Sequence, residues 1–264
     1  MKTQFLNVIN CVICVLFTIS CENAFEYSPY SSEVPQEYRH TTLKNISELK
    51  QLNIDNRSSV RVAVFSDIHN YYNRLDKVVN SINHNYDIDF SIVPGDLTDL
   101  GSLKEFEFAH SALENLVMPY FTVIGNHDYR SNGDEIYTEM FGEKNYSVYY
   151  KGLEFIFFDN IIWESDELPD YEWLKQRISD TNAGKKVIVT HIPPQNYYPE
   201  SGDYKMTEIL TTPNTLLSIS GHTHVYSYDL INDIPYLVCN SINRDNYLIL
   251  TFKGDDITIE KIYF

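Results

Sequence analysis

The chain has 264 residues, 43% of them hydrophobic and 14% aromatic, enough for one sizeable core and with no break in composition that calls for a second. Its formal net charge of -17 repels nucleic acid and anionic membrane surfaces, so neither is expected to bind the body directly. The same charge opposes a phosphate ester unless something local reverses it, and bound divalent metals are the largest charges a site can hold.

In chain order, the first segment stands apart. Lys2 is the only charge among residues 1–20, and Phe5 to Ser20 (FLNVINCVICVLFTIS) is largely apolar. That run is short for a membrane span, which needs about 20 residues, but it suits a signal-peptide core behind a basic start. Ser20-Cys21 resembles a bacterial lipoprotein processing site, although Thr18 stands where such sites usually carry Leu. The resemblance implies lipidation of Cys21, membrane attachment through that lipid, and an exported protein on the periplasmic or cell-surface side of the envelope. Cys11 and Cys14 fall inside the signal, which leaves Cys239 as the one thiol of the body. It cannot form an internal disulfide and reads as a small buried side chain. Residues 21–59 read as a tether: Ser28, Pro29, Ser31, Ser32 and Pro35 discourage packing, with a short helix around Leu43 to Leu52.

Residues 60–264 read as strands alternating with helices. Val60 to Phe65 is an apolar run rich in β-branched residues, hence a buried strand. Leu75, Val78, Val79 and Ile82 then fall at helical spacing. Asp89 to Val93 is a second strand, and Leu103, Phe106, Ala109, Leu113 and Leu116 mark a second amphipathic helix, on which His110 reads as a surface residue. Tyr120 to Ile124 is a third strand. Tyr146 to Tyr150 and Leu153 to Phe158 form a hairpin around Lys151-Gly152, and Tyr171, Leu174 and Ile178 mark a further helix. Val187 to Thr190 and Leu216 to Ile219 are later strands, and Tyr247 to Phe252 and Ile257 to Tyr263 flank Gly254-Asp255-Asp256 as a closing hairpin. Alternation followed by an antiparallel end implies an α/β protein with a mixed sheet.

Five of these strands end in a short loop carrying Asp, Asn or His. The loops are Asp67-Ile68-His69, Pro94-Gly95-Asp96, Gly125-Asn126-His127-Asp128, His191, and Gly221-His222-Thr223-His224. In α/β sheets ligands bind at the carboxyl ends of strands, so the five can converge on one edge. Imidazoles, carboxylates and an amide oxygen suit borderline divalent cations such as Mn, Fe, Zn or Co. Seven ligands exceed what one metal takes, whereas two metals sharing a carboxylate use them all. Each motif alone is weak; five in this order, each directly after a strand, are not.

The set Asp-x-His, Gly-Asp, Gly-Asn-His-Asp, His, Gly-His-x-His resembles that of the calcineurin-like metallophosphoesterases, and the resemblance covers about residues 60–264. The stretch GDLTDLGSLKEFEFAHSAL…PYFTVIGNHDY, with HIPP and GHTH, is most similar to the branch holding class III cyclic-nucleotide phosphodiesterases and related small diesterases. The family fold this implies is a four-layer α/β/β/α sandwich with two mixed β-sheets. Carried over by residue, Asp67, His69 and His224 would hold one metal and Asn126, His191 and His222 the other, with Asp96 bridging. A hydroxide held between the metals would attack phosphorus in line. His127 would contact the phosphate and protonate the leaving oxygen, with Asp99 orienting it; Asn126 would also touch the substrate. Asp99 stands where purple acid phosphatases keep a metal-binding tyrosine, so tyrosine-ligated iron is not expected.

Arg130 is the further residue expected to contact phosphate. Asn70, Tyr71, Tyr72, Tyr129, Tyr197 and Tyr198 follow ligand loops and could wall a pocket for a small-molecule ester. Asp128 and Asp159 match no ligand role. The expected activity is phosphodiester hydrolysis; a phosphomonoesterase with the same site, and a non-catalytic surface lipoprotein using the fold for binding, are the alternatives.

Overall fold

The computed structural model describes residues 31–52, 58–85, 87–181, 184–196 and 205–264. The expected signal peptide, Cys21, Tyr197 and Tyr198 lie outside the described residues. Among the described residues, eleven strands form two sheets. The first has the order β11-β10-β1-β2-β3, built from Asp256–Tyr263, Asn246–Lys253, Val60–Val64, Phe90–Val93 and Tyr120–Thr122. The second runs β4-β5-β6-β7-β9-β8, built from Tyr146–Tyr150, Leu153–Phe157, Lys185–Val189, Thr215–Ser220, Ile234–Val238 and Ser227–Ile231. Both are mixed. β1, β2 and β3 are parallel with antiparallel β10 and β11 beside them, and β5, β6, β7 and β9 are parallel between antiparallel β4 and β8.

The apolar runs of the central strands are continuous because both faces are covered. Val62, Val64, Phe90, Ile92 and Phe121 of the first sheet meet Phe155, Phe157, Val187, Val189, Leu217 and Ile219 of the second in one core between them. On the far side of the first sheet, Ala63 and Phe65 pack with α2 (Tyr72–Asn83), α3 (Leu103–Leu113) and α4 (Gly133–Phe141) through Leu75, Val78, Phe106, Leu113 and Tyr137. On the far side of the second, Ile156, Phe158 and Ile188 pack with α5 (Tyr171–Ser179) and α6 (Lys205–Leu210) through Leu174, Ile178 and Met206. Three cores separate four layers, the α/β/β/α sandwich that the resemblance implied. Cys239 is buried, as expected, and its thiol faces the Ser220 carbonyl.

Two expectations are corrected together. Within the segment read as a tether, α1 (Thr41–Leu52) and the turn Gln36–Tyr38 before it are packed onto the first sheet rather than extended from it. Val34 and Leu49 are buried, and the Asn45 side chain donates to the Tyr120 carbonyl at 2.7 Å. That docking covers the face of α3 on which His110 stands. His110 is therefore not a surface residue but 2% exposed, with its Nε2 3.0 Å from the Thr41 hydroxyl. The β8–β9 hairpin was also not anticipated. Its turn, Asn232-Asp233, takes left-handed φ at both positions, the conformation of the tightest hairpins.

Candidate metal centre

Because β1, β2, β3, β6 and β7 run parallel within their sheets, the five ligand loops emerge at one edge and bond to one another. Ile68 N donates to the Asp96 carbonyl at 2.8 Å, His191 Nδ1 to the Pro94 carbonyl at 2.7 Å, and Gly221 N to the His191 carbonyl at 3.0 Å. Both carboxylate oxygens of Asp67 accept from His222 N, at 3.1 and 3.2 Å. Ser241, bridged to Ser66, donates its hydroxyl to the Asp67 carbonyl at 2.9 Å.

The backbone is held in an unusual state here. Asp67, His69, Asp96, His222 and His224 all take left-handed φ, between 46° and 69°. Each such residue costs on the order of 1 kcal/mol and persists only where its surroundings overdetermine it. Close approach adds a second constraint: a Cβ on Gly125 would overlap the backbone N and carboxylate of Asp96.

The outcome is convergence of the predicted side chains. Asp67, His69, Asp96 and His224 each present a ligand atom within 4.8 Å of the others, and so do Asp96, His191 and His222. Asp96 belongs to both groups. Asn126 Oδ1 lies 3.1 Å from His191 Nε2 and 3.1 Å from His222 Nδ1. His69 Nε2 faces His224 Nε2 at 3.2 Å and Asp96 Oδ2 at 3.6 Å.

The chemistry of these atoms fits a cation. A carbonyl only accepts, so His191 Nδ1 carries the hydrogen toward Pro94 and Nε2 is the nitrogen turned inward. There it meets Asn126 Oδ1 and, at 3.3 Å, Asp96 Oδ2, two oxygens that draw a positive charge to that nitrogen, as a proton or as a cation. His69 Nδ1 is buried without a hydrogen-bond partner. The metal-free cluster answers with protons. Burial opposes charge on both partners, yet Asp96 beside it raises the His191 imidazole to about 9, and His191 in turn holds the Asp96 carboxyl well below the usual carboxylate range. Burial, with the neighbouring His191, lowers His222, and burial also lowers His69, whereas the hydrogen bond that His224 donates to Asp67 raises His224. Borderline divalent cations match this mixture of imidazole, carboxylate and amide oxygen.

His127 lies beside this cluster, its ring centroid 4.5 Å from that of His69, and its backbone N donates to Asp96 Oδ1 at 2.9 Å. Its Nδ1 is 2.9 Å from the Asp99 carbonyl and 3.2 Å from Asp99 Oδ1, so Nδ1 carries a hydrogen and Nε2 faces outward. Arg130 reaches Nε2 at 3.3 Å and the Asp99 carbonyl at 3.0 Å. Of the expected wall residues, Tyr71 is in place, its ring centroid 6.5 Å from that of His69. Tyr72 packs on Phe108 instead, and Tyr129 turns away to Asp159 and Lys144.

Two residues with no role in the sequence reading stand behind the ligands. Asp128 is fully buried and accepts from Gly125 N at 2.9 Å, Leu97 N at 3.2 Å, and Thr98 N and Oγ1 at 2.9 and 2.8 Å. Burial, then the charge of Asp96, raises its carboxyl to about 7 against the pull of those donors. Its place in Gly-Asn-His-Asp was the available signal. Glu164, from the loop after β5, accepts from Asn126 Nδ2 at 2.9 Å, and no motif points to it.

The family model described as calcineurin-like phosphoesterase matches residues 60–226, and the chain belongs to that family. The family uses a dinuclear divalent metal centre, for which the two groups sharing Asp96 are the candidate ligands here. Among solved structures, purple acid phosphatase PPD1 from yellow lupin (Lupinus luteus) seeds is 14% identical with a TM-score of 0.60, over 78% of this chain and 51% of that one. The chain thus spans about half the length of the lupin protein. A dimetal phosphatase from Danio rerio is 11% identical with a TM-score of 0.57, over 78% of this chain and 99% of that one. GAP50, the anchor in the inner membrane complex of Plasmodium, is 15% identical with a TM-score of 0.60, over 78% and 85%. At these identities the likeness is one of fold. No curated protein sequence matches the chain.

Proposed function

We propose that the chain is a dinuclear metal-dependent phosphodiesterase. Asp67, His69 and His224 would hold one metal and Asn126, His191 and His222 the other, with Asp96 shared. The observation that carries the reading is the convergence of His191 Nε2, Asn126 Oδ1 and Asp96 Oδ2 on one point, a donor set that suits a divalent cation. Bound there, divalent ions supply Lewis acidity and an activated water. The protein supplies the proton. His127, with Nδ1 committed to Asp99, would exchange a proton with the leaving oxygen through Nε2, and Arg130, now on that nitrogen at 3.3 Å, would turn to a phosphate oxygen.

The preference for diesters rests on a groove of about 450 Å³ beside His69, lined by Asn70, Tyr71, Asn73, Arg74 and Asn243. Its one cation, Arg74, is paired with Asp245 at 3.2 Å, and the remaining lining is amide and phenol. Such a wall suits the uncharged second ester arm better than the second negative charge of a monoester. The metal-loaded protein is expected to hydrolyse bis-p-nitrophenyl phosphate with higher kcat/KM than p-nitrophenyl phosphate. The reverse preference would make it a phosphomonoesterase, and inactivity on both would remove the enzymatic reading.

Export and anchoring belong to the same proposal, supported by the apolar run Phe5 to Ser20 and by Ser20-Cys21. Mass analysis of the mature N-terminus tests them: a diacylglyceryl-modified Cys21 is expected, and an unprocessed Met1 would refute both.

A further inference from the structure

Asn126 poses an orientation problem that its own loop does not solve. A side-chain amide has two ends of nearly equal size, and turning it over exchanges oxygen for NH₂. With oxygen inward, Asn126 faces His191 Nε2 and His222 Nδ1, each at 3.1 Å, and offers a cation held there a ligand atom. With nitrogen inward it would donate to those same imidazoles, satisfying them without any metal and offering a metal no ligand atom. A carboxylate against the outer end of the amide would penalise the second state.

Glu164 has the chemistry for it. A carboxylate only accepts, so its Oε1, 2.9 Å from Asn126 Nδ2, bonds the amide nitrogen and would repel the amide oxygen. The loop that brings it is tied to the same edge. Asn160, at its start, donates to the Ile192 carbonyl at 2.7 Å and accepts from Ile192 N at 3.2 Å, directly after His191 in the chain. Ile161 N donates to Asp159 Oδ1 at 3.1 Å, the Ser165 hydroxyl to the Ile161 carbonyl at 2.6 Å, and Asp166 N to the Ile162 carbonyl at 3.0 Å. Glu164, itself an exposed residue, is thereby held in register with His191 and sets its carboxylate on the buried Asn126 amide.

We propose that Glu164 is a positioning residue for the metal centre, fixing the Asn126 amide with its oxygen toward His191 and His222. The proposal rests on the reading of these residues as metal ligands. Outer hydrogen bonds of this kind typically change metal affinity 10- to 100-fold.

The test titrates metal-free protein with Co(II), following absorption and heat, alongside melting of the metal-free form. Glu164→Ala is expected to weaken one of the two binding events about 10- to 100-fold while metal-free melting is unchanged. In an Asn126→Asp background the amide is gone and Glu164 can only repel, so adding Glu164→Ala is expected to leave affinity the same or raise it. Wild-type affinity for both metals in Glu164→Ala would overturn the proposal. So would equal weakening in both backgrounds together with a lower metal-free melting temperature, which would make the contact a structural pin. If wild-type protein takes up no divalent cation, the ligand assignment itself fails, and the role of Glu164 with it.

Discussion

Asp128 accepts two hydrogen bonds from Thr98, from its backbone N at 2.9 Å and its hydroxyl at 2.8 Å, and so fastens the loop after β3 to the loop after β2 from underneath. Its other oxygen accepts from Leu97 N and Gly125 N. Asp96 and Asn126, one on each loop, are therefore spaced by a residue outside both candidate ligand groups.

Replacing that carboxylate with an amide tests the arrangement. In Asp128→Asn one end of the side chain presents NH₂ to donors that had been accepted, leaving buried N–H or O–H groups unpaired at about 1–3 kcal/mol each. Thermal unfolding of the metal-free variant is expected to fall by several degrees, and both metals are expected to bind more weakly because the loops are no longer clasped. Wild-type melting would mean that the clasp is not a support.

The metals themselves are expected to stabilise the fold, since their ligands come from both sheets and no such site survives unfolding. At 100 times Kd one bound ion adds about 2.7 kcal/mol, which is several degrees for a domain of this size. Chelation should lower the melting temperature and abolish turnover, and Mn or Zn should restore both. Asp96→Asn, which alters the shared carboxylate, should remove the metal-dependent part of the shift for both ions. Melting that ignores chelator would contradict a site bridging the sheets.

A separate pH effect is expected far from the metals, at the junction of α1 and α3. Burial, with Lys44 nearby, lowers His110 to about 4 from its ordinary 6.5. The groups facing it are the Thr41 hydroxyl, Lys44, and Glu114 at 3.7 Å. In the unfolded chain the imidazole takes up a proton near pH 6.5, and in the folded chain only near 4. The stability it confers is complete above 6.5 and is lost as pH falls toward 4, on the order of 3 kcal/mol. His110→Phe should flatten that part of the stability curve, measured by denaturant unfolding between pH 7 and pH 4. An unchanged slope would locate the acid sensitivity elsewhere.

The metal cluster was legible in the sequence because each ligand sits directly after a strand, and a strand's direction fixes where its end loop emerges. Asp67, His69, Asp96, His222 and His224 also take left-handed backbone conformations within these short loops. What could not be read was set by contacts between distant segments. The docking of α1 buries His110, 69 positions along the chain from Thr41, so one long-range contact accounts both for the packed segment and for the buried histidine. Glu164 lies 38 positions from Asn126 on a loop without a motif, and only the fold brings them together. Asp128 was visible in its motif, but its work is to accept from backbone N–H groups, which ligand spacing does not reveal.

The assignment of His127 makes a prediction that depends on the leaving group. Its Nδ1 is held by the Asp99 carbonyl, so any proton it gives to substrate must leave from Nε2. General acid catalysis of this kind is worth about 10²- to 10⁴-fold, and only where the departing oxygen is basic enough to need the proton. A p-nitrophenolate leaves unaided, whereas an alkoxide does not. His127→Ala should therefore lower kcat severely on an alkyl diester and much less on bis-p-nitrophenyl phosphate, steepening the dependence of log kcat on leaving-group basicity. Metal content should be retained, because His127 is not in either ligand group. Asp99→Ala should give a weaker version of the same pattern, since the backbone carbonyl that holds Nδ1 remains after its side chain is removed. An equal loss on both esters would show that His127 binds phosphate without donating the proton.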